Sequence, residues 1–512
     1  EESDSDEEEL EDIIEVEDQD ILTMTEFVNH VLINFYVDDN DRSLPSVFDG
    51  LKESQRKILY GCFLKKIYKN EQEMKVAQLG AYVAANTNYH HGEVNLFSTI
   101  VKLAQGFVGT NNIPLLVNNG NFGTRHSVAD LNGAAAPRYI YTYVDPITRF
   151  IFREEDEKFG VLKYTEDEGK QGEPEHYLPI IPMLLVNGAQ GIGSGWSTTI
   201  PQYNPLDLIK WVQIHIYNRF EKGDNGKLKE YPELNPWYNG FKGEIIKEDA
   251  KNTYTICGNM YKHPKKKDTF VIDELPVGMW SEKLKEKLEK MTEEKLIDPP
   301  MINHGKNSVN FEVKCKTNFT LNITNNMKCL KEKRSFNNLV TLCENGIPKK
   351  NNSPESIIKQ FFNARYLGYV TRRKNMLEYL KNEHIKAKNK YRYVVLVYNK
   401  KINMRSFEDV NGLEAFLEKP TVDGIEPFNR VNGTYDYLTR MLMTSMTKKN
   451  IERLKDDIEK LKTEHANVAK KKSWMLWKED LEELKNAYPS FLERRNWEKV
   501  KGGKSMVVKK KK

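Results

Sequence analysis

Arg138 and Tyr139 are neighbours in the chain, and a phenol beside a guanidinium is a pair suited to phosphorus chemistry. The phenol oxygen can attack and remain attached as an ester, while the guanidinium pairs with non-bridging phosphate oxygens as negative charge builds up. A free phenol ionises near 10, so forming its anion at pH 7 costs roughly 4 kcal/mol unless a cation or a base assists. Local sequence also leaves a packing account open, because Tyr139 is one of 25 tyrosines and shares an aromatic run with Tyr141 and Tyr143. His90 and His91 stand ahead of a helical run. They could position phosphate or water, or they could cap or pack; a metal site would need a third ligand, and none lies at suitable spacing. The glycine-rich run Gly188–Gly195 lacks the Lys-Ser/Thr ending of a phosphate loop and the strand-and-helix setting of a dinucleotide fingerprint.

These residues need elements to hold them. Apolar residues at helical spacing from Ile21 to Phe35 end at Ser43-Leu-Pro-Ser46, and helices are expected at Gln55–Lys65, Lys75–Ala85 and about Glu93–Phe107. Helix, turn and helix beside basic residues is compatible with DNA binding, although helical hairpins are common. Residues 109–150 read as loops followed by a β-like run Tyr139–Val144, which puts Arg138 and Tyr139 where loop meets strand. From about Leu178 to Lys350, short strands such as Thr253–Cys257 and Thr269–Ile272 alternate with helices, the pattern of an α+β unit. A long helix is expected from Ser353-Pro354 to about Val397, and Ile451, Leu454, Ile458 and Leu461 repeat at three and four residues like a coiled-coil seam. Two long helices separated by residues 398–433 suggest an antiparallel stalk with a small helical head.

The chain of 512 residues is long enough for three or four domains, and 39% hydrophobic with 30% charged residues fits a folded protein with a charged helical surface. No apolar run reaches the roughly 20 residues of a membrane helix, and the first residues are acidic where a secretory signal is basic and then apolar. Membrane insertion and secretion are therefore not expected. Cys62, Cys257, Cys315, Cys329 and Cys343 show no paired spacing, so neither a disulfide framework nor a zinc site is indicated, and a reducing interior is the natural setting. The net charge of +4 hides an asymmetry, with no Lys or Arg in residues 1–41 and a basic stretch from Lys499 to Lys512. The acidic block reads as a solvated tail, and the lysines could add salt-dependent, sequence-independent affinity for nucleic acid.

A series of runs resembles eukaryotic-type topoisomerase II, a type IIA DNA topoisomerase. They are Leu44-Pro-Ser-Val-Phe-Asp-Gly-Leu-Lys-Glu-Ser-Gln-Arg-Lys57, Lys75-Val-Ala-Gln-Leu79, Tyr89-His-His-Gly-Glu93, Leu103-Ala-Gln-Gly-Phe-Val-Gly109, Phe122-Gly-Thr-Arg125 and Pro137-Arg-Tyr-Ile140. Leu185-Val-Asn-Gly-Ala-Gln-Gly-Ile-Gly-Ser-Gly-Trp196, Glu274-Leu-Pro-Val-Gly-Met-Trp280 and Gly433-Thr-Tyr-Asp-Tyr-Leu438 follow in the family's order, so the resemblance covers about residues 25–495.

The resemblance implies a multidomain α+β protein with a winged-helix DNA-binding domain, an α+β tower and a long antiparallel coiled coil ending in a helical dimerisation head, the exit gate. The expected boundaries are 1–25 for an acidic disordered linker, 26–175 for the winged-helix domain and 176–350 for the tower. The stalk would take 351–397 and 445–495, the head 398–444 and a basic tail 496–512. It implies Tyr139 as nucleophile with Arg138 as its catalytic partner, and DNA contacts from Lys52, Arg56, Lys75, Tyr89, His90, His91 and Asn95, where the family often has another small polar residue at the last. Ile192 would be an apolar wedge that bends the duplex, and Trp280 a DNA-proximal residue unless it simply packs.

The implied partners are double-stranded DNA, a second copy of the chain, and a TOPRIM and ATPase portion in cis or as a separate subunit. That portion would hold Mg²⁺ and ATP. Asp18-Gln-Asp20 has the letters of the family's metal motif, but it lies in the acidic block without the Gly-Ser-His continuation, so no metal ligand is assigned to this chain. Nuclear residence is implied, or the cytoplasm for a viral enzyme. The alternative is a non-cleaving dimeric DNA-bending scaffold. An acidic, coiled-coil structural protein would explain the two ends and nothing between them.

Overall fold

The computed structural model describes residues 22–501 except 90, 129, 168, 224–225, 251, 306, 318, 420–424, 426 and 432. The acidic block through residue 21, His90 and the tail from 502 lie outside the described residues. The rest falls into two compact units, one within Glu1–Phe152, Lys163–Ala364 and Leu481–Lys512, the other within Arg153–Leu162 and Arg365–Asp480.

In the first unit, helical turns from Met24 lead into α1 (Ile33–Ser43). Three further helices follow, α2 (Glu53–Lys65), α3 (Val76–Asn86) and α4 (Glu93–Ala104). Their facing sides bury Ile58, Leu59, Cys62, Val76, Leu79, Val83, Leu96 and Ile100, the i, i+3, i+4 rows of each helix. At Gly80 a Cβ would lie 2.5 Å from the ring of Phe97, so α3 and α4 approach as closely as they do only because a glycine stands there. The expected β-run is shorter than its sequence suggests. Only Tyr141–Thr142 forms a strand, paired antiparallel with Met74–Lys75, and isolated bridges join Tyr141 to Asn119 and Val144 to Leu116. A hairpin of Tyr164–Asp167 and Lys170–Pro174 and a second of Ala189–Gly193 and Trp196–Ile200 complete this part.

The α+β portion is built from a four-stranded antiparallel sheet, in the order Met301–Ile302, Phe311–Lys314, Thr269–Glu274, Asn259–Lys262, and a three-stranded sheet of Lys331–Ser335, Thr253–Cys257 and Glu244–Lys247. After α5 (Pro205–Ile216), which starts with Asn204 accepting from Leu206 N and Pro at its first turn, comes α6 (Ser281–Glu293). Leu284, Leu288 and Met291 lie at helical spacing on one face of α6 and pack with Phe270, Ile272, Phe311 and Val313 of the sheet.

The long helix α7 (Pro354–Tyr398) runs 45 residues. Its part from Arg365 belongs to the second unit, with α8 (Val410–Glu418), α9 (Lys448–Lys470) and the start of α10 (Ser473–Lys501). The expected second stalk helix is thus two helices, because the chain turns extended at Lys471. Of the seam, Leu454 is buried while Ile451, Ile458 and Leu461 are half-buried. Tyr393, Ile402, Leu413, Leu417, Phe428, Tyr435 and Leu438 form a separate small core where the sequence suggests a helical head.

Candidate active site

Tyr139 is 65% exposed and sits in a tight turn closed by its own N–H donating to Ala136 O at 2.9 Å. The turn is held against the start of α3, whose first two amides, Val76 N and Ala77 N, donate to Ile140 O at 3.0 Å and Pro137 O at 3.2 Å. A helix start has unpaired donors, and this placement satisfies two of them. The Arg138 guanidinium carbon lies 4.8 Å from the Tyr139 ring centroid. Lys75, on the strand facing Tyr141, places Nζ 5.9 Å from the Tyr141 ring. Phenol, guanidinium and ammonium thus come from two short paired segments. The aromatic neighbours differ from Tyr139 in their partners: Tyr141 is tied to Asn119 through its backbone, and both Tyr141 and Tyr143 are half-buried.

Tyr89 and His91 meet edge to face with ring centroids 5.4 Å apart. Burial raises the Tyr89 phenol above its ordinary value, and the Arg42 charge opposes that. His91 is exposed at the turn before α4, and Asn95 is exposed in its first turn, its N–H donating to Gly92 O.

Lys52 opens α2 and donates from Nζ to Gln190 O at 2.8 Å, which joins α2 to the hairpin whose strand carries Ile192. Burial, and then the nearby Lys102 charge, brings the Lys52 ammonium below the ordinary lysine range. Ile192 itself is 85% exposed. The glycines around it have a packing cause: a Cβ on Gly191 would lie 2.2 Å from Ser43 O, and one on Gly193 2.3 Å from Asn40 Oδ1. Asn40 Nδ2 also donates to Ser194 O, and Ser194 Oγ donates to Asp39. The glycine run therefore lets the end of α1 press against the hairpin that presents Ile192.

Arg56, expected to contact DNA, is drawn toward Asp49. It is buried, with Nε donating to Asp49 Oδ2 at 2.7 Å, and Nη2 donating to Asp49 Oδ1 and Leu51 O at 3.1 Å. These bonds, from Nε and Nη2, tie Arg56 to the loop before α2. Trp280 is half-buried at the cap of α6 and meets Phe107 at 6.4 Å in a T-shaped contact. Sequence reasoning passed over Asp49 and Gln105. Gln105 is 2% exposed, and its Nε2 donates to Phe122 O at 2.9 Å and Leu131 O at 3.2 Å. The signal was present, since both residues stand inside runs that resemble the family. Among the described residues no group of three His, Cys, Asp or Glu is placed to hold a metal ion.

The family profile described as that of the A subunit of DNA gyrase/topoisomerase IV matches residues 42–482. The chain is 36% identical over 465 residues to the mitochondrial DNA topoisomerase 2 of Dictyostelium discoideum, covering 89% of this chain and 34% of that protein. It is 36% identical over 445 residues to DNA topoisomerase 2 of Invertebrate iridescent virus 6, covering 86% and 37%. The chain spans about a third of the length of these curated relatives. A crystal structure of the DNA-binding, cleavage and re-ligation domain of Plasmodium falciparum topoisomerase II superposes with a TM-score of 0.80 at 30% identity, over 93% of this chain and 66% of that one. With a profile match across most of its length and the same mixed helix-and-sheet fold, the chain belongs to the DNA gyrase/topoisomerase IV A-subunit family of type II topoisomerases.

Proposed function

We propose that this chain is the DNA breakage-reunion part of an ATP-dependent type IIA topoisomerase, which opens one duplex through a transient double-strand break so that a second can pass. The observation that carries the reading is the exposed Arg138-Tyr139 turn set on the amides of α3. Tyr139 Oη attacks a backbone phosphorus, the bond from phosphorus to the 3′ oxygen breaks, and that oxygen leaves as a hydroxyl, taking up a proton. The product is a 5′-phosphotyrosyl ester, and attack by the 3′ hydroxyl reverses the step with the phenol as leaving group. Arg138 pairs with the phosphate oxygens as charge develops, and Lys75, His91, Tyr89 and Asn95 hold the flanking backbone. Lys52 braces the hairpin from which Ile192 wedges between base pairs, at a cost of a few kcal/mol that a bent duplex offsets with more contact.

In this reading residues 26–175 form the winged-helix domain, 176–350 the tower, 351–397 and 445–495 the stalk and 398–444 a head that joins two copies. Mg²⁺ and ATP are held by TOPRIM and ATPase portions, and Mg²⁺ supplies charge stabilisation at the phosphate. No helix among the described residues is long and apolar enough to cross a membrane, and residence in the nucleus is part of the proposal.

The test combines the chain with its TOPRIM-bearing part, Mg²⁺ and supercoiled plasmid, with a detergent quench. DNA covalently attached to wild type and absent with Tyr139→Phe is the expected result. Wild type that binds and bends DNA without ever forming an adduct would put the non-cleaving scaffold in its place.

A further inference from the structure

The loop arms Asn121–Val128 and Asp130–Ala135, just before the Tyr139 turn, are strongly over-determined. Ala135 N donates to Asn121 O and Thr124 N to Asn132 O, both at 2.9 Å, while Gln105 clamps the two arms from below. Leu131 and Asn132 have φ of 53° and 57°, left-handed conformations that cost of order 1–3 kcal/mol each and persist only when the surroundings enforce them.

The outer end of this loop is fastened to α6 in both directions. No side chain of its own caps α6. Its first amides, Ser281 N and Glu282 N, donate instead to Arg125 O at 3.4 Å and His126 O at 3.2 Å. In return, Val128 N donates to Glu282 Oε2 at 2.7 Å. This has the reciprocity of a capping box, made between segments more than 150 residues apart in the chain. His126 adds Nδ1 to Ser281 Oγ and Nε2 to Gly305 O, both at 2.9 Å, and stacks on His304 at 4.5 Å. Beneath these contacts Arg125 Nη2 pairs with Glu274 Oε1 at 2.7 Å, with side chains 3% and 2% exposed. Glu274 is otherwise occupied by the amides of Leu275 and Lys242. A buried ion pair is weak evidence of net stability, and fixing one geometry is the better account of it.

We propose that Arg125 is a positioning residue for strand cleavage: the Arg125–Glu274 pair and the shared cap hold the Tyr139 turn in register with α6. The proposal rests on the cleavage reading above. It makes the α+β portion part of the apparatus that aims the nucleophile.

The experiment uses the assembled enzyme with Arg125→Met, Arg125→Lys and Glu282→Ala. It measures single-turnover adduct formation per folded molecule at saturating DNA, DNA affinity at fixed salt, and amide hydrogen exchange of residues 136–141. Adduct formation should slow about 10- to 100-fold in Arg125→Met, as for a reacting group misplaced by about 1 Å. DNA affinity should stay near that of wild type. Glu282→Ala should slow the step less, Arg125→Lys should recover part of the rate, and exchange at 136–141 should rise in the same order. Glu282 is only half-buried, so this variant decides the matter if Arg125→Met fails to fold. Unchanged rates per folded molecule overturn the proposal, even where melting temperature falls, and so does faster exchange without slower cleavage. If wild type forms no adduct, the cleavage reading fails and the catalytic role fails with it, while unchanged exchange in the chain alone would overturn the coupling separately.

Discussion

Ile192 separates the jobs of folding and DNA handling most cleanly. At 85% exposed it contributes little to the core, so Ile192→Ala should leave stability within about 0.5 kcal/mol of wild type. A wedge role requires the same substitution to reduce bending of a doubly labelled duplex measured by energy transfer. A second residue-scale outcome concerns pH. His304 is held down to about 4 by burial, with the His126 and Arg125 charges adding to it, against about 6.5 for an unfolded histidine. Its neutral form is therefore preferred in the fold, and its contribution is complete above about 6.5 and is lost as pH falls toward 4. Thermal melting at pH 7 and pH 5 should show a larger drop for wild type than for His304→Phe. His215, brought to about 4 by burial, titrates in the same window, so the comparison is cleanest in a His215→Phe background. Tyr139, Arg138 and the exposed Ile192 could be picked out in the sequence through the order of the family-like runs. The inward turn of Arg56 could not, because the partner that captures it, Asp49, lies seven residues earlier with no periodic relation to mark it.

Elements were legible in proportion to their regularity. The bounds of the strand Thr253–Cys257 and the start of α7 at Pro354 follow from alternation and from proline at a first helical turn. The break between α9 and α10 carries no glycine or proline, only consecutive lysines, so a continuous seam was the natural reading. The buried charges of α7 were also invisible from periodicity. Arg365 is fully buried and pairs with Asp156 at 2.9 Å, its guanidinium 4.0 Å from the Tyr369 ring. Asp480 accepts from Tyr369 Oη and Arg372 Nη1, both at 2.7 Å. Removing one member of such a pair strands a buried charge, at about 3–5 kcal/mol. Arg365→Met should lower the denaturation midpoint of this unit accordingly, and Arg365→Met combined with Asp156→Leu should regain much of the loss; chemical unfolding of both variants checks this.

For the whole molecule the proposed duplex passage needs two copies that can part. Leu442 and Met443, 73% and 71% exposed beside the small core of the head, offer an apolar patch for pairing. Leu442→Glu should weaken self-association about tenfold or more, in the range of a buried interface anchor, and sedimentation at graded concentrations measures it. The paired helices have a further property. One, α7, is a single rod of 45 residues, about 67 Å at 1.5 Å per residue. The other is jointed at Lys471, where Arg373 of α7 reaches over to donate to Lys471 O at 2.6 Å and Ala469 O at 3.0 Å. One leaf of the pair is thus continuous and the other articulated, with a pin at the joint.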